Sequence, residues 1–252
     1  MTKLSRRVFL GSAPAAAATA GIFGTFFSTA AEAAIKWDET YNVIVIGAGG
    51  AGLSAAISAK EAGAKKVVVL EKMMFAGGNT IRAGGGFNAA IKADYEKAGI
   101  TDSPKLHAEQ TLAAGDGRGD PVLVHQLTEK APESVQWLKD HGVKFQDHIY
   151  QIYGGLYKRA RNPIGPRGGA YIKALLEVCK KEDIPILYNT RVVEIIREHQ
   201  LSGRVLGVKV EQKGGKTLYL RATNAVVAAA GGFAANDRLT AISDPRMGQL
   251  GT

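Results

Sequence analysis

Val43-Ile44-Val45-Ile46-Gly47-Ala48-Gly49-Gly50-Ala51-Gly52-Leu53 runs from an apolar tetrad straight into the spacing Gly-x-Gly-x-x-Gly, and the fold class follows from that junction. Asn42 to Ile46 is short, mostly apolar and closed by Gly47, which predicts a buried strand. From Gly52 to Ala62 small and apolar residues recur at helical spacing until Gly63 stops them, and Val67 to Leu70 reads as the next buried strand. Strand, glycine turn, helix and strand within about thirty residues make a βαβ unit, which requires a parallel sheet. In such a unit Gly47 permits the tight turn, Gly49 lets backbone approach a pyrophosphate, and Gly52 allows close helix packing. The helix N-terminus offers unpaired N–H groups to the anion, and Glu71, at the end of the second strand, would accept hydrogen bonds from a ribose hydroxyl. The pattern predicts dinucleotide binding and by itself does not choose between NAD and FAD.

The rest of the composition agrees with one globular α/β chain. Of 252 residues 46% are hydrophobic and 22% charged, which excludes disorder and fibres. The 31 glycines exceed the average share, yet they cluster in short runs without a triplet period, so collagen and flexible linkers are excluded as well. One cysteine, Cys179, can form neither an internal disulfide nor a CxxC pair, and no CxxCH is available for haem attachment. No metal site is expected. The net charge of +9 is not gathered into a lysine and arginine block with interleaved aromatics, so it reads as a diffuse field favouring anionic ligands or as a solvated surface, not as a nucleic-acid footprint.

Lys3, Arg6 and Arg7 precede an alanine-rich apolar stretch from Val8 to Phe27, with small residues at Ala31 and Ala33 that suit signal-peptidase cleavage. Ser5-Arg6-Arg7-Val8-Phe9-Leu10 resembles a twin-arginine signal, used for proteins exported already folded. Residues 1–33 are therefore expected to be a cleaved export signal read by the twin-arginine machinery, and the mature protein to reside in the periplasm. A membrane anchor is the competing reading, weakened by Gly11, Pro14, Gly21 and Gly24. Cleavage removes Lys3, Arg6, Arg7 and Glu32 and leaves a body of charge +7.

Residues 34–252 are read as the N-terminal portion of one nucleotide-binding domain. Past the glycine-rich loop from Gly77 to Gly86, Asp120 with Pro121 marks a helix start, and Val122 to Asp140 carries helical periodicity up to Gly142, a helix expected to cover a core. Ala170 to Lys180 reads as an amphipathic helix and Ile184 to Leu187 as a short strand. Val192 to Glu198, Val205 to Glu211 and Thr217 to Arg221 then alternate apolar and polar residues between turns at Ser202-Gly203 and Gly214-Gly215, which predicts an antiparallel three-stranded meander. Ala225 to Ala230, closed by Gly231-Gly232, is expected to be a further strand returning to the parallel sheet.

The glycine fingerprint, Glu71-Lys72, Gly77-Gly78-Asn79-Thr80 and Ala83-Gly84-Gly85-Gly86-Phe87-Asn88-Ala89-Ala90 together resemble the flavoprotein family of fumarate reductases and succinate dehydrogenases. Its soluble periplasmic fumarate reductases and their urocanate- and methacrylate-reducing relatives are the most similar branch, from about Tyr41 to Asp244. The resemblance implies a Rossmann-like FAD-binding domain. Gly47, Gly49, Ala51, Gly52, Glu71 and Lys72 would serve the pyrophosphate and adenosine ribose, and Asn79 with Thr80 would lie along the flavin side. Gly85 and Gly86 would let backbone approach the isoalloxazine, and Val193 matches the position whose backbone holds the adenine. Ala229-Ala230-Gly231-Gly232 matches the family's ATGG turn with Ala230 in place of threonine, so Ala229 and Gly231 would contact the cofactor through backbone. Membrane-bound relatives carry at the place of Asn79 a histidine that binds FAD covalently; asparagine cannot, which implies non-covalent FAD.

The chemistry implied is hydride transfer from reduced flavin N5 to the C=C bond of a small unsaturated carboxylate such as fumarate, with a proton from an arginine. In the family that arginine and the residues that hold the substrate come after the matched segment, with a capping domain that this chain is expected to lack. No catalytic residue is therefore assigned. Arg161 and Asn162 stand where periplasmic relatives carry histidine and arginine, Arg82 is the cation of the flavin loop with a surface role expected, and His141 and His148 are expected to be solvated. Electrons would come from a separate cytochrome c or quinol-linked donor, as in anaerobic respiration. Competing readings are a ketosteroid dehydrogenase, an L-aspartate oxidase, an NAD dehydrogenase, and an FAD-binding module without turnover, for which weak FAD binding and little reductase activity are expected.

Overall fold

The structure, a computed structural model, describes residues 35–153 and 155–246, so the expected export signal lies outside the described residues. The chain opens with β1 (Glu39–Ile46), α1 (Gly50–Glu61) and β2 (Val67–Leu70), followed by the short β3 (Phe87–Asn88). Next come the helices α2 (Lys92–Lys97), α3 (Pro104–Ala114) and α4 (Pro121–Asp140), then β4 (Tyr150–Gln151), β5 (Lys158–Arg161) and α5 (Gly168–Lys181). The chain closes with β6 (Ile186–Leu187), β7 (Thr190–His199), β8 (Ser202–Gln212), β9 (Thr217–Ala228) and α6 (Asp237–Ser243).

Six strands form the main sheet in the order β6-β2-β1-β9-β8-β7, parallel from β6 to β9 and antiparallel from β9 to β7. Val43, Ile44 and Val45 are all buried, as a central parallel strand covered on both faces requires. On one face Val43, Val45, Val67 and Val69 pack against Leu53, Ala56 and Ile57 of α1 and Ile172, Leu175 and Cys179 of α5. On the other, Ile44, Val68 and Leu70 pack with Val208 and Val210 of β8 and Leu220 of β9, so the antiparallel half covers the parallel half. Each such aliphatic side chain contributes about 1.5–3 kcal/mol on burial, and the two clusters fix β1 between them.

One expectation needs correction. Thr217 to Arg221 and Ala225 to Ala230 are not two strands: β9 is continuous over twelve residues, pairing antiparallel with β8 through Thr217–Arg221 and parallel with β1 from Leu220 to Ala228. The third strand of the meander is itself the strand that returns to the parallel sheet. A register shift between Tyr41 and Val43 of β1 absorbs the change of neighbours.

The second sheet, antiparallel in the order β3-β5-β4, was not expected. It stands on charge as much as on apolar burial. Arg159 of β5 donates from Nε and a terminal nitrogen to Asp102 at 2.9 and 2.7 Å, both side chains being buried. Arg161 pairs with Asp94 at 2.6 Å. Asp102 and Asp94 tie this sheet to α3 and α2, and α3 itself is capped by Ser103, whose hydroxyl accepts Leu106 N–H at 3.0 Å ahead of Pro104.

Two smaller expectations are revised. In α4 Thr128, Ala131, Val135 and Leu138 are buried, but Val122, Leu123 and Leu127 of its first two turns are exposed, so the helix covers a core only from Thr128 onward. His141 is not solvated: its ring stacks on Trp137 at 4.0 Å and its Nε2 meets Glu61 at 2.7 Å, joining the ends of α4 and α1.

Candidate cofactor site

The site is built where β1 ends. Gly47 turns the chain with φ +103, and a Cβ there would stand 2.5 Å from the Ala229 carbonyl oxygen. A Cβ on Gly52 would collide with the Gly47 carbonyl oxygen, so α1 can leave the turn at this angle only with glycine there. These two glycines answer the protein's own packing. Gly49 does not: it is extended at φ −82 and ψ −176, and its missing Cβ would meet only Gly77 O at 3.8 Å. Gly84 and Gly232 also face open space without positive φ. Neither sterics nor conformation asks for glycine at these three positions, and each leaves its backbone open to close approach.

The N-terminus of α1 is open to an anion. Its N-cap, Gly49, has no side chain, and no acidic residue stands in the first turn. Gly50 N–H donates to Thr80 Oγ1 at 3.1 Å, and helical bonding to the turn begins with Leu53 N–H to Gly49 O at 3.0 Å. Between them, the amides of Ala51 and Gly52 have no acceptor among the described residues. Unpaired amides at the positive end of a helix dipole are the donor set a pyrophosphate needs.

Glu71 closes one side of this turn. Its carboxylate accepts Ala48 N–H at 2.9 Å through Oε2 and Met73 N–H at 2.9 Å through Oε1, and the residue is buried. Each oxygen keeps a second lone pair, so the acid can hold the turn and still accept a hydroxyl. Ile46, Gly47, Glu71, Lys72, Thr190, Arg191 and Ala230 line a cavity of about 150 Å³ beside it. On β7, Val192 pairs with Val210 and Glu194 with Lys209, which leaves Val193 as the extra residue of a bulge, its backbone outside the ladder. Ala229 N–H donates to Ile46 O at 2.9 Å, and Gly231, at φ +80, is exposed just past the strand end.

On the other side the loop from Gly77 starts against the turn, with Gly77 N–H donating to Ala48 O at 2.9 Å. Thr80 reaches back to Gly50, while Asn79 is exposed and its carbonyl closes a turn to Ala83. Gly85 and Gly86 lie at the far end of the loop, against the start of α5 and Tyr150. The structure thus brings Gly47, Gly49, Ala51, Gly52, Glu71, Lys72, Thr80 and Ala229 to one turn, and places Val193 and Gly231 at one flank and Gly85 and Gly86 at the other. Sequence reasoning missed Ala48, whose N–H holds Glu71, and Gly168, where a Cβ would collide with Thr80 O. The pair Gly168-Gly169 before an amphipathic run was the available signal. Cys179 is buried on the core face of α5 with its thiol pushed up to about 11 by burial, so it supplies no thiolate at neutral pH.

A family model described as FAD binding domain matches residues 42–250. The chain belongs to that FAD-binding family. It is 37% identical to a fumarate reductase (cytochrome) of Shewanella frigidimarina over 211 residues, 83% of this chain and 36% of that protein. A urocanate reductase of Eggerthella lenta is 35% identical over 208 residues, 82% of this chain and 34% of that protein. Among solved structures, the open conformation of a flavocytochrome c3 fumarate reductase superposes with TM-score 0.78 at 31% identity, covering 85% of this chain and 37% of that one. This FAD-binding domain therefore spans about a third of the length of those relatives. The cradle of glycines, the open helix N-terminus and the acid at the end of β2 fit FAD.

Proposed function

We propose that this chain is the FAD-binding portion of an exported oxidoreductase that reduces the C=C bond of a small unsaturated carboxylate such as fumarate. The observation that carries the reading is the turn itself: Ala51 and Gly52 amides without acceptors, beside a Gly49 that the protein's own packing does not require. The likeness to fumarate and urocanate reductases supports the substrate class. Bound FAD supplies hydride chemistry that no side chain of the site can supply. The chain's part is to hold it. Ala51 and Gly52 N–H groups bind the pyrophosphate, Glu71 orients the ribose while fixing the turn, the Val193 backbone meets the adenine, and Asn79, Thr80, Gly85 and Gly86 border the flavin half. Asn79 offers no nucleophile, so the cofactor is held without a covalent bond. Arg6-Arg7 and the apolar stretch after them support export through the twin-arginine pathway to the periplasm, where a separate cytochrome c or quinol-linked donor provides electrons.

The test is the absorbance spectrum of the protein from a host that loads FAD before export, taken before and after acid precipitation. Flavin bands that move to the supernatant support non-covalent FAD. A protein that stays colourless after incubation with FAD overturns the cofactor reading, and flavin that remains with the precipitate overturns the non-covalent one. Oxidation of reduced methyl viologen by the full-length enzyme with fumarate, urocanate or methacrylate then assigns the substrate, and no oxidation with any of them overturns the carboxylate class.

A further inference from the structure

The loop that begins at Gly77 runs from the glycine turn to the N-terminus of α5, where a side chain of that helix holds its last glycines. Tyr171 lies one turn into α5, is buried, and donates its hydroxyl to the Gly85 carbonyl at 2.7 Å. Its ring is wedged between Phe87 at 6.5 Å and Phe145 at 6.0 Å, which leaves the hydroxyl little freedom to turn away. Burial pushes the Tyr171 hydroxyl well above the usual phenol range, so it remains a proton donor throughout the physiological range. Gly85 is itself under constraint, with φ +86 and the Arg167 backbone where a Cβ would be. A second contact closes the same joint, since Gly168 N–H donates to Ala83 O at 3.1 Å.

In a trans peptide the carbonyl and the following N–H point to opposite sides. A hydroxyl that holds the Gly85 carbonyl toward α5 therefore turns the Gly86 N–H away from α5. Gly86 is exposed, and its N–H has no acceptor among the described residues. The result is an aimed backbone donor at the end of a glycine loop that starts on the pyrophosphate turn. A cofactor with its pyrophosphate on α1 and its adenosine by Glu71 has its other half along this loop. We propose that Tyr171 is a positioning residue for the flavin: through the Gly85 carbonyl it aims the Gly86 N–H at the isoalloxazine, and so favours the more electron-rich reduced form. The proposal rests on the FAD reading given above.

The experiment compares the wild-type chain with Tyr171→Phe and Phe145→Leu. Tyr171→Phe keeps the ring and deletes the donor; Phe145→Leu loosens the same aromatic cluster and keeps the hydroxyl. FAD affinity is read by fluorescence titration, the bound flavin by its absorption spectrum and midpoint potential, and folding by thermal unfolding without FAD. Tyr171→Phe is expected to weaken FAD binding about tenfold. It is also expected to lower the two-electron potential by about 30 mV, which corresponds to a tenfold larger loss for reduced than for oxidised flavin. Phe145→Leu is expected to lower the unfolding temperature and leave the spectrum and potential of bound flavin as in the wild type. Equal potentials in wild type and Tyr171→Phe, or equal shifts in both variants, overturn the proposal, because packing alone then accounts for the residue. A wild-type chain that takes up no flavin overturns the FAD reading and this one with it, and is told apart by the absence of any flavin signal.

Discussion

Glu71 and Ala48 lie 23 residues apart, and the carboxylate of the first accepts the amide N–H of the second at 2.9 Å, binding the end of β2 to the glycine turn that follows β1. The same carboxylate takes Met73 N–H, so both of its oxygens serve the protein before any ribose arrives. Glu71→Gln keeps one acceptor oxygen and sets an NH2 group against one of the two amides. Stability of the FAD-free chain is expected to fall by about 2 kcal/mol, the range of a hydrogen bond to a charged group. Urea unfolding without FAD checks this. Unchanged stability with lost FAD binding would mean that Glu71 serves the ribose alone.

The glycines of the turn separate folding from binding. Gly52→Ala drives a methyl into the Gly47 carbonyl, and Gly47 and Gly52 have no slack, because the turn is held on its other side by Ala229. A loss of about 1–3 kcal/mol is expected from overpacking. Gly49→Ala has room among protein atoms and an allowed extended backbone, so stability should stay within about 0.5 kcal/mol of wild type. Its FAD affinity should nonetheless fall by at least about tenfold, because the new methyl would stand where the proposed site brings the pyrophosphate to the backbone. Paired thermal unfolding and FAD titration of the two variants read the contrast, and equal FAD affinity of Gly49→Ala and wild type would move the pyrophosphate elsewhere.

The βαβ unit was legible because its determinants are local. Val43 to Ile46, the glycines and Val67 to Leu70 set period, turn and burial within one short stretch, and the structure departs from the expectation by extending β1 back to Glu39, starting α1 at Gly50 and ending it at Glu61. The continuity of β9 was not legible, because Thr223 and Asn224 interrupt the alternation in the way a turn does. Asn42 of the neighbouring β1 donates to Thr223 Oγ1 at 3.1 Å, a partner 181 residues away that no local pattern reveals. The small sheet was hidden for a related reason. Lys158-Arg159-Ala160-Arg161 reads as an exposed basic segment until Asp102, just ahead of α3, and Asp94 of α2 take the charges. At the site, local glycine signals found the turn, whereas the bulge that frees Val193 and the packing of Gly168 on Thr80 depend on register and tertiary contact.

Asp102 and Arg159 are both buried and bidentately paired, so removing one leaves the other's charge buried without its counter-ion. Asp102→Ala is expected to cost about 3–5 kcal/mol, and Asp102→Leu combined with Arg159→Met much less than the two single changes together. A double-mutant cycle by urea unfolding measures the coupling. Additive losses would show that the pair contributes no mutual stabilisation.

His107 stands beside this pair, buried on α3, with Nδ1 lacking a partner among the described residues. Burial lowers its pKa from the ordinary 6.5, the Arg159 guanidinium lowers it further, and the Asp102 carboxylate opposes both. Above pH 6.5 the imidazole is neutral in folded and unfolded chains alike, and its contribution to stability is fully present. As the pH falls through 6.5 the unfolded chain takes up a proton that the folded chain refuses, so stability drops until the lowered folded pKa is passed and then levels off. Urea midpoints of the wild type should therefore decline from neutrality toward pH 5, and those of His107→Leu should decline less over the same window, the other four histidines being common to both. Parallel pH profiles for the two proteins would show that His107 titrates alike in the folded and unfolded chains.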